Sequence, residues 1–466
     1  NNFIYLINKN TLNSEKEKPL SLEGCTFCLP ESKTLHSTEI NLSAENAKSN
    51  GNGYRVLNAQ QTDRIFKTLI GDLAPIKDLE NDVLIDCVNL PVFQSEISID
   101  PRYKGFKFHG GKGQTELQAK FSAIGESMER YNAQQFGNEK LITSSYSKLC
   151  KTEENVLDPK TLILDSEYPT SYSDHLPIDW IEGVNLTKRM NIWIPANAVF
   201  FVYHPQKASN EFLPQDTTGL ASVMTDLEAI LQGTLEIIER DSYTIYYRQQ
   251  LKSPTIIQSS IKDDQVQSLI HDLKRKGIGL HLKLLVNDFG IYVVHCVSEQ
   301  LDHSFPVYTH GAGASLNLTV AISRAITECI QLRVSQIKIN QHKDLFTNDV
   351  EYEPYLRWGD GRKEDVAVFL DDGSKFVEAE SCPNLSTGNL LLDVQLVTER
   401  LAKQKQDLLC VNLSRKDNSV KTFRSIVPGC QPADDTLRRN SERMQSLPLF
   451  LKQSRRDKIF GRTLFS

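Results

Sequence analysis

Apolar and polar positions follow two different periods along this chain, and together they predict a mixture of strands and helices. Apolar runs typical of strands occur at 83–93, where Pro91 would end the strand, and at 193–203, 280–286 and 291–297. Between these runs, apolar residues recur every three or four positions, as expected for helices that pack on a core. Strands that alternate with helices predict an α/β (α+β) fold.

One arrangement recurs three times and predicts the architecture of the fold: a glycine-bearing loop followed by a helix. The loops are expected at 109–113, 217–222 and 310–315. The first helix is expected over 115–137, and the others begin near residues 226 and 319. Thr115 and Thr225 each start a capping-box pattern, T-x-x-Q and T-x-x-E, at the first two helices.

Each predicted helix carries an apolar stripe and, one residue further round, a polar stripe. The apolar stripes are expected to face the core: Leu117, Phe121, Ile124, Met128 and Tyr131; Leu227, Ile230, Leu231 and Ile238; Ile322, Ile326, Cys329 and Ile330. The polar stripes have spacings of four and three residues: Ser122, Glu126 and Glu129; Gln232, Glu236 and Glu239; Arg324, Glu328 and Gln331.

A pair of glutamates on one helix face is usually a solvated surface, and that interpretation holds for any single helix. Three observations favour a shared site for the set. The stripes border the buried face, like charges at these spacings do not stabilise a lone helix, and each stripe follows a segment whose backbone N–H groups could approach a ligand.

Convergence of the polar stripes would restrict their chemistry. Two carboxylates ~4 Å apart repel by about 4 kcal/mol at an effective dielectric near 20, so they must hold protons or cations. Hard oxygen ligands suit Mg²⁺ or Ca²⁺, and Mg²⁺ commonly joins carboxylates to phosphates. With Lys112, Arg240 and Arg324 to neutralise the remaining charge, the pattern predicts an ATP–Mg²⁺ cavity lined by helices and without a P-loop.

Composition and charge add exclusions. Lys and Arg total 53 against 59 Asp and Glu, a net charge of −6, which gives no footprint for nucleic acid or an anionic membrane. No apolar run reaches the ~18–20 residues that span a bilayer, and NNFIYLINKN does not resemble an export signal, so a cytoplasmic protein with reduced thiols is expected. Cys25 and Cys28 form a lone C-x-x-C, either two ordinary thiols or a zinc knuckle completed elsewhere.

Shifts in composition predict three regions. Residues 1–62 are a polar N-terminal region with the lone C-x-x-C, residues 63–432 form a globular domain that would contain the ATP–Mg²⁺ cavity, and residues 433–466 form a C-terminal tail. From 434 onwards the tail holds eight Lys and Arg against four Asp and Glu, with apolar residues around Pro448. It is expected to dock on its own domain or on a partner.

The three glycine–helix segments resemble the signatures of the YcaO family. GGKGQTELQAKFSAIGESMERYN (110–132) is similar to the first, a Gly-Lys-Gly segment before Ser-x-x-x-Glu-x-x-Glu-Arg. TTGLASVMTDLEAILQGTLEIIERDS (217–242) and GAGASLNLTVAISRAITECIQLR (311–333) are similar to the second and third, and the likeness runs from about 73 to 432.

By this resemblance ten residues line the nucleotide–metal site: Lys112, Ser122, Glu126, Glu129, Glu236, Glu239, Arg240, Arg324, Glu328 and Gln331. The metal ligands among them are the five glutamates. The resemblance identifies no general base. His109 and His310, each beside a glycine segment, are candidates.

The resemblance also implies an activity. Azoline-forming members cyclodehydrate Cys, Ser or Thr of a ribosomal precursor peptide to thiazoline or oxazoline, by phosphorylating the amide oxygen with ATP. The Cys25–Cys28 pair, 53–55, 73–76 and 427–432 resemble that branch. The ending GRTLFS lacks its P-x-P-x-P tail, which thioamide- and amidine-forming members also lack. Those reactions, or a non-catalytic ATP- or partner-binding scaffold, are the alternatives.

Partners follow from the same comparison. No peptide-clamp domain is evident, since residues 1–62 are short for one. We therefore expect a precursor peptide as substrate, a separate leader-binding partner protein and a homodimer.

Overall fold

The computed structural model describes residues 4–7, 14–17, 40, 57, 59–71, 74–81, 90–97, 108–341, 358–371, 375–416, 418–433 and 438–456. Several predictions fall outside these residues: the Cys25–Cys28 pair, segment 53–55, the first part of the 83–93 strand and the chain end from 457 onwards.

The described residues form strands, often two or three in succession, with helices between these groups. The strands are β1 (Ile4–Ile7), β2 (Ser14–Glu17), β3 (Ile76–Asn81), β4 (Val92–Ile97), β5 (Phe108–Lys112), β6 (Leu141–Ser144), β7 (Ile178–Asn185), β8 (Met190–Pro195), β9 (Leu220–Val223), β10 (Thr255–Ile257), β11 (Ile278–Leu284), β12 (Tyr292–Gln300), β13 (Tyr308–Ser315), β14 (Phe376–Glu378), β15 (Leu409–Asn412) and β16 (Lys421–Ile426). The helices are α1 (Ala59–Phe66), α2 (Glu116–Asn132), α3 (Tyr146–Leu149), α4 (Asp226–Arg248), α5 (Asp264–Arg275), α6 (Leu318–Gln341), α7 (Lys363–Leu370), α8 (Leu390–Lys403) and α9 (Arg443–Arg456).

The strands form several sheets that pack against the helices. One sheet has the order β13-β12-β11-β10-β14, and a second has the order β6-β7-β15-β16-β9 with β8 also on β7. A three-stranded sheet, β3-β4-β5, carries the first strand–helix unit. Nearly all described pairings are antiparallel, with β10 and β14 as a parallel pair. The α/β (α+β) prediction is confirmed.

Two predicted strands need correction. Pro91 directly precedes β4, so residues 92–93 begin a strand instead of following the end of one, and a proline without an N–H is tolerated at a strand entrance. The predicted strand at 193–203 stops at Pro195 and gives way to a 3₁₀ turn at Ala196–Ala198. The apolar residues after this turn are buried in the core under the second sheet, which explains their strand-like pattern.

The predicted glycine loops are largely strands: β5, β9 and β13 each lead directly into α2, α4 or α6. A Cβ on Gly111 would lie 1.9 Å from the backbone N of Ala123, and one on Gly311 would lie 2.3 Å from the backbone N of Cys329. The glycines therefore permit a strand to pack directly on the helix that follows it.

Helix starts match the sequence patterns better than helix ends do. Helix α2 ends at Asn132, five residues short of the expected 137. The capping box at Thr225 is complete, whereas at Thr115 only the hydroxyl cap forms, and the Gln118 side chain accepts from the backbone N–H of Gln114. Leu117, expected in the core, is 39% exposed.

Residues 438–456 of the predicted tail contact the rest of the chain. Met444, Leu447 and Leu451 join the main hydrophobic core. Arg443 donates to Asp241 on α4 and to Asp288. Docking on its own chain is therefore observed for this part, and the division at 62 and 432 stays a prediction. Among the described helices, none has the length and apolar character that crossing a membrane requires.

Candidate functional site

A cavity of about 880 Å³ lies between α2, α4 and α6, with residues of β5, β9 and β13 in its wall. The apolar stripes of these helices are mostly buried, so the neighbouring polar stripes turn towards the cavity. All ten residues predicted for the site line it: Lys112, Ser122, Glu126, Glu129, Glu236, Glu239, Arg240, Arg324, Glu328 and Gln331.

Glu328 of α6 joins the other two strand–helix units. Its carboxylate lies 3.0 Å from Lys112 Nζ at the end of β5 and 3.5 Å from Arg240 Nη2 on α4. Arg240 also lies 3.8 Å from Glu239 and 3.9 Å from Glu236 through its Nε. Side chains far apart in the sequence thus form one network of charges.

Arg130 of α2 is a site residue that the sequence prediction did not include. Its guanidinium contacts Glu129 and lies 3.5 Å from Glu126. The signal was present, because Arg130 follows Glu129 as Arg240 follows Glu239. His109 Nδ1 lies 3.8 Å from Glu126, so this candidate base packs against a carboxylate.

Three carboxyl groups of the cavity, those of Glu129, Glu239 and Glu236, hold their protons more strongly than usual, and burial is the main cause of the raised pKa of Glu236. Burial raises the pKa of Glu129 to about 8, with further contributions from Glu236 and Glu126. Burial likewise raises the pKa of Glu239 to about 7, with a contribution from Glu328. Carboxyl groups of this kind give up their protons to a cation at neutral pH.

Two other carboxylates are held in the charged form by nearby cations. Burial alone would raise the pKa of Glu328, but Lys112 and Arg240 lower it to about 2. Burial is similarly outweighed at Glu126, where His109 and Arg130 lower the pKa. The cavity therefore contains both protonated and ionised carboxyl groups.

The donor set fits a nucleotide with a divalent cation. Carboxylates are the ligands that Mg²⁺ prefers, basic side chains pair with phosphates, and pockets of this size accommodate drug-sized ligands. In the part of the chain that the structure describes, no three His, Cys, Asp or Glu side chains are grouped closely enough to hold a metal ion. Several glutamates contact arginine or lysine instead.

Uncharged polar residues line the cavity nearer the helix starts, and sequence reasoning did not assign them to the site. Gln114 donates to Ser323 at 2.9 Å, and Gln232 accepts from Arg324 at 3.3 Å. Gln232 already belonged to the polar stripe of α4, so its spacing was the available signal. His310 also lines the cavity, and burial lowers its pKa to about 4.

Solved structures with the same fold have low sequence identity to this chain. A heterocyclase in complex with substrate and cofactor superposes with a TM-score of 0.80 at 20% identity, over 97% of this chain and 62% of that chain. The chain thus spans less than two thirds of that heterocyclase. YcaO from Methanopyrus kandleri, bound with AMPPCP and Mg²⁺, superposes with a TM-score of 0.64 at 23% identity, over 84% of this chain and 96% of that one.

Sequence comparison identifies the family. An uncharacterized protein from Methanothermobacter thermautotrophicus is 28% identical over 349 residues, which cover 74% of this chain and 87% of the relative. The model of the YcaO cyclodehydratase family, described as binding ATP and Mg²⁺, matches residues 110–431 and with them all three strand–helix units. Since this match spans more than half of the sequence, the chain belongs to the YcaO family, whose cofactors are ATP and Mg²⁺.

Proposed function

We propose that the cavity binds ATP and Mg²⁺ and that the protein cyclodehydrates Cys, Ser or Thr of a ribosomal precursor peptide to thiazoline or oxazoline. The observation that carries this proposal is the meeting of five glutamates with Lys112, Arg130, Arg240 and Arg324 on one cavity. Three separate strand–helix units supply these side chains, so the fold is built around the cavity.

The residues divide by chemistry. Mg²⁺ would be held by the five glutamates, once those paired with lysine or arginine exchange that contact for the cation: Glu126, Glu129, Glu236, Glu239 and Glu328. The four cations would then neutralise phosphate charge, and Ser122 and Gln331 would donate hydrogen bonds. When bound, ATP supplies a phosphoryl group that turns the amide oxygen into a good leaving group.

The protein's own contribution is positioning and charge. Arg240 and Lys112 hold Glu328 ionised, and Arg130 contacts Glu126 and Glu129 on its own helix, α2. Because these groups are already in place, little reorganisation accompanies the development of charge on the substrate.

The azoline reaction is supported by the extent of the structural likeness. The heterocyclase fold covers 97% of this chain, including segments on both sides of the matched family region at 110–431. The partner protein and the homodimer remain part of the proposal, without a docking surface assigned to either.

Mass spectrometry of a peptide rich in Cys, Ser, Thr and Gly, incubated with the protein, ATP, Mg²⁺ and a candidate partner, tests the reaction. Loss of one water per modified residue, with release of ADP, supports cyclodehydration. Exchange of oxygen for sulfur would identify a thioamide-forming enzyme, and an unchanged peptide without ADP would identify a scaffold.

A paired substitution ties this activity to the cavity. Glu328→Gln removes the carboxylate shared by Lys112 and Arg240 and should abolish turnover. Glu399→Gln, at an exposed position of α8, should leave it intact.

A further inference from the structure

A pair of imidazoles borders the cavity and has no role in the mechanism above. His310 of β13 lines the cavity, and His295 of β12 lies behind it with 0% exposure. His295 pairs with Ala312, two residues from His310, so both rings lie on the same face of the sheet. His295 Nε2 lies 3.4 Å from His310 Nδ1, within hydrogen-bonding distance.

Aromatic side chains hold both rings in place. Tyr243 of α4 stacks on His295 at 4.9 Å and on His310 at 5.5 Å between ring centroids. Phe369 lies 4.1 Å from His295, and Trp358 lies 4.3 Å from His310. The imidazoles are therefore fixed in orientation, beside the helix that carries Arg240.

The environment of His295 determines which nitrogen carries its proton. Burial lowers the pKa of His295 well below the usual value, so the ring is neutral and has one N–H. Its Nδ1 is buried and has no hydrogen-bond partner in the described part of the chain. An orphaned buried N–H is rarer than an unused acceptor, so the proton resides on Nε2 and is donated to His310 Nδ1.

This tautomer fixes what His310 presents to a ligand. Its Nδ1 accepts from His295, so a neutral His310 carries its hydrogen on Nε2, and a protonated one carries a hydrogen there as well. Within the described residues Nε2 makes no hydrogen bond, and His310 lies in the cavity wall. From the sequence His310 was only one of two candidate bases, and in this arrangement the nitrogen that it presents to the cavity is a donor.

We infer that His310 is a catalytic residue whose Nε2–H donates a hydrogen bond to the amide oxygen of the peptide. The inference rests on the proposed function. In that reaction the side-chain sulfur or oxygen bonds to the amide carbon, the C=O π electrons move to oxygen, and the nucleophile's proton leaves to solvent. In the proposed function the four cations of the cavity would neutralise the phosphates, whereas a neutral donor suits the oxygen on which charge develops.

Two substitutions at one position separate a donor from a base. His310→Phe keeps an aromatic ring against Tyr243 and Trp358 but removes the donor, and kcat should fall about 100- to 1000-fold with little change in the KM for ATP. His310→Gln restores an N–H near the place of Nε2 without a basic nitrogen, and activity should stay within about tenfold of the natural protein.

Contrary results are equally defined. Equal loss of activity in both variants would indicate a base and would overturn the inference. A raised KM for ATP at constant kcat would indicate a phosphate contact and would overturn it as well. Full activity of His310→Phe would show that the reaction needs no donor at this position. His271→Gln, at an exposed position of α5, is the control for histidine replacement. Thermal unfolding checks that each variant folds.

A measurement without substrate keeps this inference separate from the proposed function. In ¹⁵N NMR of histidine-labelled, ligand-free protein, His295 and His310 should both show protonated Nε2 and unprotonated Nδ1. The opposite tautomer would overturn the donor role. If the tautomers are as expected but no peptide is modified, the proposed reaction fails and the donor remains.

Discussion

Six glutamates, Asp263 and four basic side chains line one cavity, and their formal charges do not balance. Protons offset part of this difference, because burial raises the pKa of Glu236 and raises those of Glu129 and Glu239 to about 8 and about 7. A proton on each takes the place that a cation would fill. The affinity of the cavity for cations is therefore linked to pH.

This linkage predicts how the stability of the ligand-free protein depends on pH. The folded protein binds the Glu129 proton more tightly than the unfolded chain, so this group destabilises the fold increasingly as pH rises from its ordinary pKa of 4.5 to about 8. Glu129→Gln removes this loss. The Tm of Glu129→Gln minus the Tm of the natural protein should therefore increase between pH 5.5 and pH 8 and stay constant above pH 8.

The measurement is thermal unfolding in a chelator, at several pH values, for both proteins. Glu116→Gln, an exposed position on the same helix, serves as the control. A Tm difference that is the same at every pH would show that Glu129 is an ordinary carboxylate in the folded protein.

Side-chain periodicity explains how much of the site could be predicted. Glu126, Glu239 and Glu328 follow apolar stripes at helical spacing, so their common orientation towards one cavity was readable once the three helices were assumed to converge. The position of His295 beside the cavity could not be predicted from the sequence. Its partner His310 is on another strand, and only the register of β12 and β13 brings the two rings together.

At the scale of elements, a run of glycines could indicate either a loop or a strand packed closely on a helix, and the sequence alone could not separate the two. A run such as Gly110-Gly111 is typical of loops, yet in this fold it lies in β5 against α2. The requirement for glycine comes from the backbone of a helix that begins several residues later. Helix starts were predictable because capping residues such as Thr225 are local.

Gly311→Ala tests whether strand–helix contact sets the site. The new Cβ would lie 2.3 Å from Cys329 N and 2.8 Å from the backbone carbon of Glu328, so α6 must shift. We expect a loss of about 1–3 kcal/mol in stability and weaker nucleotide binding, because Glu328 moves with the helix. Chemical unfolding and calorimetric titration with ATP and Mg²⁺ measure the two effects.

The matched control lies in the same sheet. At Gly279 of β11 a Cβ would meet Leu301 at 3.5 Å, an ordinary contact, so Gly279→Ala should have little effect on either quantity. Equal behaviour of the two variants would mean that the glycine of β13 does not determine the position of α6.

At the scale of the whole molecule, the repeat predicted that three units share a site but not how sheets join them. The strand of the first unit, β5, belongs to the sheet β3-β4-β5. The strand of the second unit, β9, is an edge of a larger sheet, and the strand of the third unit, β13, is an edge of another. Such long-range pairing depends on contacts between distant segments. The sequence likewise left open whether the tail docks on its own chain, because a basic, apolar segment fits either surface.

Residues 438–456 of the tail are joined to α4, one of the helices that line the cavity. Arg443 donates two hydrogen bonds of 2.8 Å to Asp241, the residue after Arg240, and contacts Asp288 at 2.7 Å. Arg443→Gln would leave two buried carboxylates without their cation and should cost about 3–5 kcal/mol of stability. Since α4 carries Glu236 and Glu239, nucleotide affinity should fall together with the Tm.

Arg438→Gln removes an exposed arginine of the same segment, paired with Asp165 and Glu167, and should change the Tm only slightly. If both arginine variants lost little stability and nucleotide binding were unchanged, the docked tail would contribute neither to the stability of the fold nor to the position of α4.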